Sequence, residues 1–270
     1  MDGPSDPPGG VPAPAFSHDE ARGFALEHAH YTRDIPFWRA AAARLGSPVL
    51  DLGCATGRVA LSLARDGGEV WALDRSPAML AELERLLGAE PPEVRRRVRV
   101  VRAELAAFRL DRAFRLVLIA MNTLQALTEP GDRLACLSAA REHLAPEGEL
   151  IFDVALPDAE EIAATMGVER PGGVHHDAAG GVTLEHSAWY DDWEPGSHTL
   201  EFTLRVERRT GGGPARTVLR HHRVHLFSPE EIRGLLRAAG LESIEVLVDF
   251  DGSPVIAGSE RQIHRCRAAA

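Results

Sequence analysis

The sequence predicts an α/β protein: a mostly parallel sheet of seven strands with helices on both faces, and an antiparallel β insert after the fifth strand. Three observations carry that prediction. Short apolar runs alternate with helical patterns, the rhythm of parallel strands joined by right-handed crossovers. A loop of small residues, Asp51-Leu52-Gly53-Cys54-Ala55-Thr56-Gly57, sits where the first run turns into the next helix. Beyond Pro157 the alternation gives way to three long β-rich stretches parted by glycine-rich breaks.

Residues 1–16 are acidic and rich in proline and glycine, without the apolar centre of a signal peptide, and read as a flexible tail. Residues 17–270 are expected to form one domain. Two helical patterns between His18 and Leu45 are interrupted at Tyr31–Pro36. Ser47–Gly53 is an apolar run ending in glycine, as in a buried parallel strand. A helix over Gly57–Arg65 stops at Gly67-Gly68, and Glu69–Asp74 is the second strand. Ser76 then caps a helix with Pro77 at its first position. Val98–Val101 and Arg115–Met121 are strands three and four, Pro130–Leu144 is a helix closed by a turn at Pro146–Gly148, and Glu149–Val154 is strand five.

A short helix near Asp158–Thr165 precedes a break at Pro171-Gly172-Gly173. The β-rich stretches Gly181–Trp193, His198–Arg209 and Ala215–Phe227 follow, punctuated like hairpins. The insert therefore spans about 172–227. Ser228-Pro229-Glu230-Glu231 reads as a capping box opening a helix that ends at Gly240. Leu241–Val248 and Gln262–Cys266 complete the seven strands.

Composition narrows the chemistry. The net charge of −10 disfavours nucleic acid as a partner, and no apolar run reaches the length of a membrane span. The three cysteines, Cys54, Cys136 and Cys266, are widely spaced, which suits a reducing cytoplasm and gives no disulfide or zinc framework. All 30 basic residues are arginine. Without lysine there is no Schiff base and no P-loop.

The loop at 51–57 has the character of a ligand cradle, because small residues let a backbone approach a ligand closely. A dinucleotide loop needs a third small residue at position 58, which is Arg58 here; the spacing that fits is small residues at 53, 55 and 57. Asp74 ends the next strand, where a carboxylate reaches the hydroxyls of a ribose lying across the strand ends.

These residues resemble the class I methyltransferases that use S-adenosylmethionine (SAM) on a Rossmann-like sheet. Their first motif, D/E-x-G-x-G-x-G, stands here as D-L-G-C-A-T-G, with Ala55 in place of the middle glycine. Their second stands as Asp74-Arg75-Ser76-Pro77-Ala78-Met79-Leu80. The resemblance implies that Asp51, Gly53, Cys54, Ala55 and Gly57 cradle SAM, that Asp74 binds the ribose, and that Arg75 and Met79 flank the adenine. It implies Glu104 for the adenine amino group, the Leu105 N–H toward the ring, and Met121–Leu127, Asn122 included, beside the methionine part. Tyr31 stands where the family often places an aromatic over SAM. The segments Phe227–Glu231 and Asp249–Gly252 resemble members acting on small molecules, among them amino-sugar and natural-product N-methyltransferases.

Several residues keep two readings. On a strand, His221, Arg223 and His225 share one face and His222, Val224 and Leu226 the other. Imidazoles on the first face could hold a metal, but the segment supplies no third ligand, so none is expected. His222 is a candidate base facing substrate, or a packed structural histidine. Trp189 and Trp193 share a parity opposite Tyr190, lining a pocket, a dimer interface or the insert's own core. Asp153 touches substrate or caps a turn. The candidate catalytic residues are thus His222, Tyr31 and Asn122. The expected activity is methyl transfer from SAM to a nitrogen or oxygen nucleophile of a small molecule, with a homodimer as the expected assembly. A catalytically silent SAM-binding protein and an NAD(P)-dependent oxidoreductase are the alternatives. No motif of the base-modifying DNA methyltransferases follows strand four, and no G-x-S-x-G elbow is present.

Overall fold

The structure, a computed structural model, describes residues 16–177, 181–254 and 259–269. Of the expected tail, residues 1–15 lie outside the described residues. Two helices, α1 (His18–Ala29) and α2 (Ile35–Leu45), precede the sheet. Then β1 (Val49–Leu52), α3 (Arg58–Arg65), β2 (Val70–Asp74), α4 (Pro77–Gly88), the short α5 (Pro92–Arg95) and β3 (Val98–Arg102) form one half. The other half is β4 (Phe114–Ile119), a 3-10 turn (Thr123–Ala126), α6 (Pro130–Glu142), β5 (Leu144–Ala155) and α7 (Ala159–Ala164). The insert strands are β6 (Arg170–Asp177), β7 (Val182–Glu194), β8 (Thr199–Thr210) and β9 (Arg216–His225). Helix α8 (Pro229–Ala238), β10 (Leu241–Leu247) and β11 (Arg261–Ala268) close the chain.

The main sheet has seven strands in the order β10-β11-β5-β4-β1-β2-β3. β5, β4, β1, β2 and β3 run parallel, and β11 is antiparallel to both β5 and β10. The chain builds outward from β1 to β3, then returns to β4 on β1's other side. That reversal opens a crevice at the carboxyl ends of β1 and β4, the place where such sheets bind ligands.

Alternation along the strands feeds two cores. Val49, Val70, Leu116, Leu118 and Ile151 face α2, α3 and α4, with Trp38, Leu63 and Leu83 packed on them. Leu50, Leu52, Trp71, Val117, Ile119 and Phe152 face α6 and α8, against Leu137, Ile232 and Leu236. Truncating a fully buried leucine such as Leu50 or Leu118 costs about 2–5 kcal/mol. Asp51 and Asp153 have the parity of the first face, so the sheet buries two carboxylates at its strand tips. Among the described residues no helix is long and apolar enough to cross a membrane.

The insert is a four-stranded antiparallel sheet, β6-β7-β8-β9, and corrects two expectations. Pro171–Gly173, read as a break, belongs to edge strand β6, whose register shifts between Pro171 and Val174. Proline is tolerated on an edge. A Cβ on Gly172 would stand 2.2 Å from the His186 ring, so only glycine lets the strand cross it. Trp189 and Trp193 do not share a face. A bulge at Asp191 puts one extra residue into β7, so Tyr190 pairs with Phe202 but Trp193 pairs with Leu200. Trp193 joins Tyr190 against Ile162 of α7, while Trp189 donates to Asp191.

Two turns also differ. Pro146–Gly148 is an irregularity inside a long β5 rather than its boundary. Ser228 caps α8 by accepting from the Glu231 N–H, but the Glu231 carboxylate turns to His225 instead of back to Ser228. The complete capping box is at α1, between Ser17 and Glu20.

Candidate active site at the strand tips

The loop after β1 folds back on β2. The N–H groups of Gly53 and Cys54 both donate to the Leu73 carbonyl, at 2.8 and 3.0 Å. Gly53 and Gly57 have φ of +73° and +81°, where a side chain is strained. A Cβ on Gly53 would also stand 2.4 Å from Cγ2 of Thr123, and one on Gly57 2.3 Å from Cδ1 of Leu83. Ala55, in the middle, holds φ +47° at a cost of about 1 kcal/mol.

Asp74 welds this loop to the end of β2. Its Oδ2 accepts from the Ala55 N–H at 2.9 Å and its Oδ1 from the Ser76 N–H at 2.8 Å. Each oxygen keeps a further lone pair for a hydroxyl donor. Cys54 is buried, and burial raises its thiol well above the usual range, so it is an unreactive wall of the loop.

Arg58, at the start of α3, forms a bidentate pair with the fully buried Asp34, both contacts 2.6 Å. Trp38 Nε1 donates to the same carboxylate at 3.0 Å. Arg58 also donates to the Tyr31 carbonyl at 2.8 Å and lies 5.1 Å from the centre of the Tyr31 ring. This clamp fixes the α1–α2 turn beside the loop. Burial raises the Tyr31 phenol above its usual range, and the charges acting on it include Arg261, Asp34 and Asp153, so Tyr31 belongs to the strand-tip cluster. The clamp was not legible in the sequence, where Arg58 figured only as an obstacle to a dinucleotide loop.

Among the described residues, three buried oxygens at the strand tips have no hydrogen-bond partner: Oδ2 of Asp51, Oδ1 of Asn122 and Oδ1 of Asp153. Burial pushes the Asp51 carboxyl up to about 7 against the pull of Arg58. It pushes Asp153 up to about 6 against the pull of Arg261, whose Nη1 sits 2.6 Å from Oδ2. Met121 and Asn122 are consecutive left-handed residues, φ +56° and +58°. Buried acceptors left without donors cost about 1–3 kcal/mol each. Together they fit a ligand that brings hydroxyl and ammonium donors to this crevice, as SAM does.

At the far end of the crevice, Arg75 and Glu104 are exposed and 3.8 Å apart. Leu105 is half-buried against the α6 side of the sheet. Met79 is sealed under α1, packed with Ala21, Ala78, Phe16, Phe24 and Ala55. That α1 cover, and Phe24 within it, was not read from the sequence, because helical periodicity does not say which neighbour a helix lies on.

The insert is tied to the same place. Gln125, in the turn after β4, donates to the carbonyls of Ala155 and His225 at 3.2 and 3.0 Å and accepts from the Ala155 N–H at 2.8 Å. On the insert's inner face His222 stacks on Phe202, ring centres 4.8 Å apart. Burial, then Arg220 and His221, hold its imidazole below the usual histidine range, so it is neutral at pH 7. His221 bonds to Thr203 Oγ1 instead, and His225 turns to Glu231, so the two imidazoles expected on one face do not act together.

A family described as a methyltransferase domain matches residues 49–148. The cypemycin N-terminal methyltransferase of Streptomyces sp is 27% identical over 226 residues, covering 81% of this chain and 82% of that protein. The CcbJ methyltransferase from Streptomyces caelestis is 28% identical with a TM-score of 0.71, over 87% of this chain and 95% of that one. SAM-bound CalS10, an amino pentose methyltransferase from Micromonospora echinaspora, shares the fold, with 22% identity, a TM-score of 0.62 and coverage of 92% and 90%. The chain is a SAM-dependent methyltransferase, and in sequence and fold it resembles class I methyltransferases such as the cypemycin N-terminal methyltransferase and CcbJ.

Proposed function

We infer that the chain methylates a nitrogen or oxygen nucleophile of a small natural product, in a cavity between the strand tips and the insert. The observation that carries this reading is the set of partnerless oxygens on Asp51, Asn122 and Asp153 beside the loop and Asp74. Bound SAM supplies a methyl group already activated on a sulfonium. Asp74 holds the ribose; Arg75, Glu104 and the Leu105 N–H hold the adenine, with Met79 packed behind them under α1. Asp51, Gly53, Cys54, Ala55, Gly57 and Asn122 hold the methionine part.

The protein's remaining task is to set the nucleophile in line and keep water out. Tyr31, fixed by Arg58, closes the cavity from the α1–α2 turn. Neutral His222 accepts the proton that leaves the nucleophile as the new bond forms. Asn122 orients the reacting groups through its free oxygen. The similarity to a cypemycin N-terminal methyltransferase supports nitrogen as the acceptor.

Residues 17–270 act as one methyltransferase domain, with the segment about 172–227 as substrate lid or dimer element. The three free cysteines are buried, which supports work in a reducing cytoplasm. The acidic charge supports small molecules rather than nucleic acid or a membrane surface as partners, and edge strand β9 offers a route to a homodimer. Transfer of labelled methyl from SAM to a panel of amino sugars, peptide amines and hydroxylated products tests the reading. Label is expected in an amine or hydroxyl product. Label in none of them, with SAM bound, overturns it.

A further inference from the structure

The Glu231 carboxylate, freed from its capping role, converges with two imidazoles. Its Oε1 lies 2.6 Å from Nε2 of His225, and its Oε2 3.5 Å from Nδ1 of His198. One ligand atom from each residue lies within 4.8 Å of the others. The three come from separate elements: the turn between β7 and β8, the end of β9, and the first turn of α8.

Two imidazole nitrogens and one carboxylate oxygen are a donor set that zinc and its neighbours favour. Ligand atoms in a tetrahedral zinc site stand about 3.4 Å apart. The His198 contact stands close to that value and the His225 contact is shorter, each to a different Glu231 oxygen, so an ion enters with a turn of the carboxylate and a widening of the His225 contact. His198 holds a left-handed backbone, φ +55°, uncommon for a residue other than glycine. Its carbonyl accepts from the Leu226 N–H at 2.8 Å, which fixes the backbone of that turn against the end of β9, and its imidazole reaches Glu231 of α8. The two rings lie 6.0 Å apart between centres.

Arg133 opposes an ion, with Nη2 3.7 Å from Glu231 Oε1, but its Nη1 is committed to the carbonyls of Leu127 and Thr128. The His198 side chain is 42% exposed, which leaves an entry path and a position for a fourth, water ligand.

We propose that His198, His225 and Glu231 form a structural transition-metal site that staples the insert to α8. An ion there ties the β7–β8 turn and the end of β9 to the core beside Gln125. It stands apart from methyl transfer, so neither reading depends on the other.

The test is a Co2+ titration of the full chain, followed by Zn2+ displacement and thermal unfolding. A saturable visible absorption band at one ion per chain is expected, lost on Zn2+ addition, with a Zn2+-dependent rise in Tm. His198→Ala, at a half-exposed turn, is expected to weaken Co2+ binding about tenfold or more while keeping the metal-free Tm. Glu231→Gln provides a second variant with the same expected loss. No band in the native chain overturns the proposal. Equal binding by His198→Ala also overturns it, placing the ion on other histidines.

Discussion

Removing the Arg58 guanidinium tests how the turn carrying Tyr31 is held. Arg58→Met keeps the length of the side chain but leaves Asp34, fully buried, with the Trp38 N–H alone. Breaking a buried pair by deleting one partner costs about 3–5 kcal/mol, because a charge is left uncompensated. The double variant Asp34→Asn/Arg58→Met removes that charge. It is expected to recover about half of the loss or more, since neutral replacements of both partners are often close to neutral in effect. The Tyr31 carbonyl still lacks its donor in the double variant, so affinity for S-adenosylhomocysteine is expected to remain low there. Urea unfolding gives the two stabilities and titration calorimetry the affinity. A single variant that loses less than about 1 kcal/mol, or a double variant no more stable than the single, refutes the reasoning.

Three further outcomes follow from the same geometry. Asp74→Ala removes two backbone caps and is expected to cost about 1–3 kcal/mol of stability and nearly all measurable S-adenosylhomocysteine binding; calorimetry checks both against the native chain. Ala55→Gly relieves the strain of a left-handed alanine and is expected to gain about 0.5–1 kcal/mol, whereas Gly53→Ala, which drives a Cβ into Thr123, is expected to lose more than about 2 kcal/mol; urea unfolding separates them. Asp51 titrates near 7 because it is buried, so it is ionised above that pH and neutral below it. Its raised folded pKa means its contribution to stability is lost as pH rises through about 7, so Asp51→Asn is expected to stabilise the ligand-free protein more at pH 8 than at pH 5. The cationic ligand, by contrast, binds the native chain more tightly as pH rises through the same range, and that rise flattens in Asp51→Asn; calorimetry across pH measures it.

The legible parts of the molecule were those where backbone geometry restricts residue type. The loop at 53–57 must turn with positive φ in a crowded place, so small residues mark it, and the acid at 74 follows from where β2 ends. The seven-strand sheet was legible because parallel strands bury both faces and leave long apolar runs. What stayed hidden depends on single extra residues or on distant pairing. Asp191 is one inserted residue, yet it moves Trp193 to the opposite face. Gly172 looked like a break and instead lets an edge strand cross an imidazole. Arg58 and Asp34 stand 24 positions apart, and no spacing rule joins them. The meeting of His198 and His225 with Glu231 is likewise a product of the insert's return onto α8.

The central claim is that SAM rests in the crevice of β1, β2 and β4, gripped by Asp74 and by the three unsatisfied oxygens. A crystal structure with S-adenosylhomocysteine tests it most directly. The account predicts ribose hydroxyls on the Asp74 carboxylate and donors of the amino-acid end within hydrogen-bond distance of Asp51, Asn122 or Asp153. A nucleoside bound elsewhere, with those oxygens still lacking donors, would contradict it.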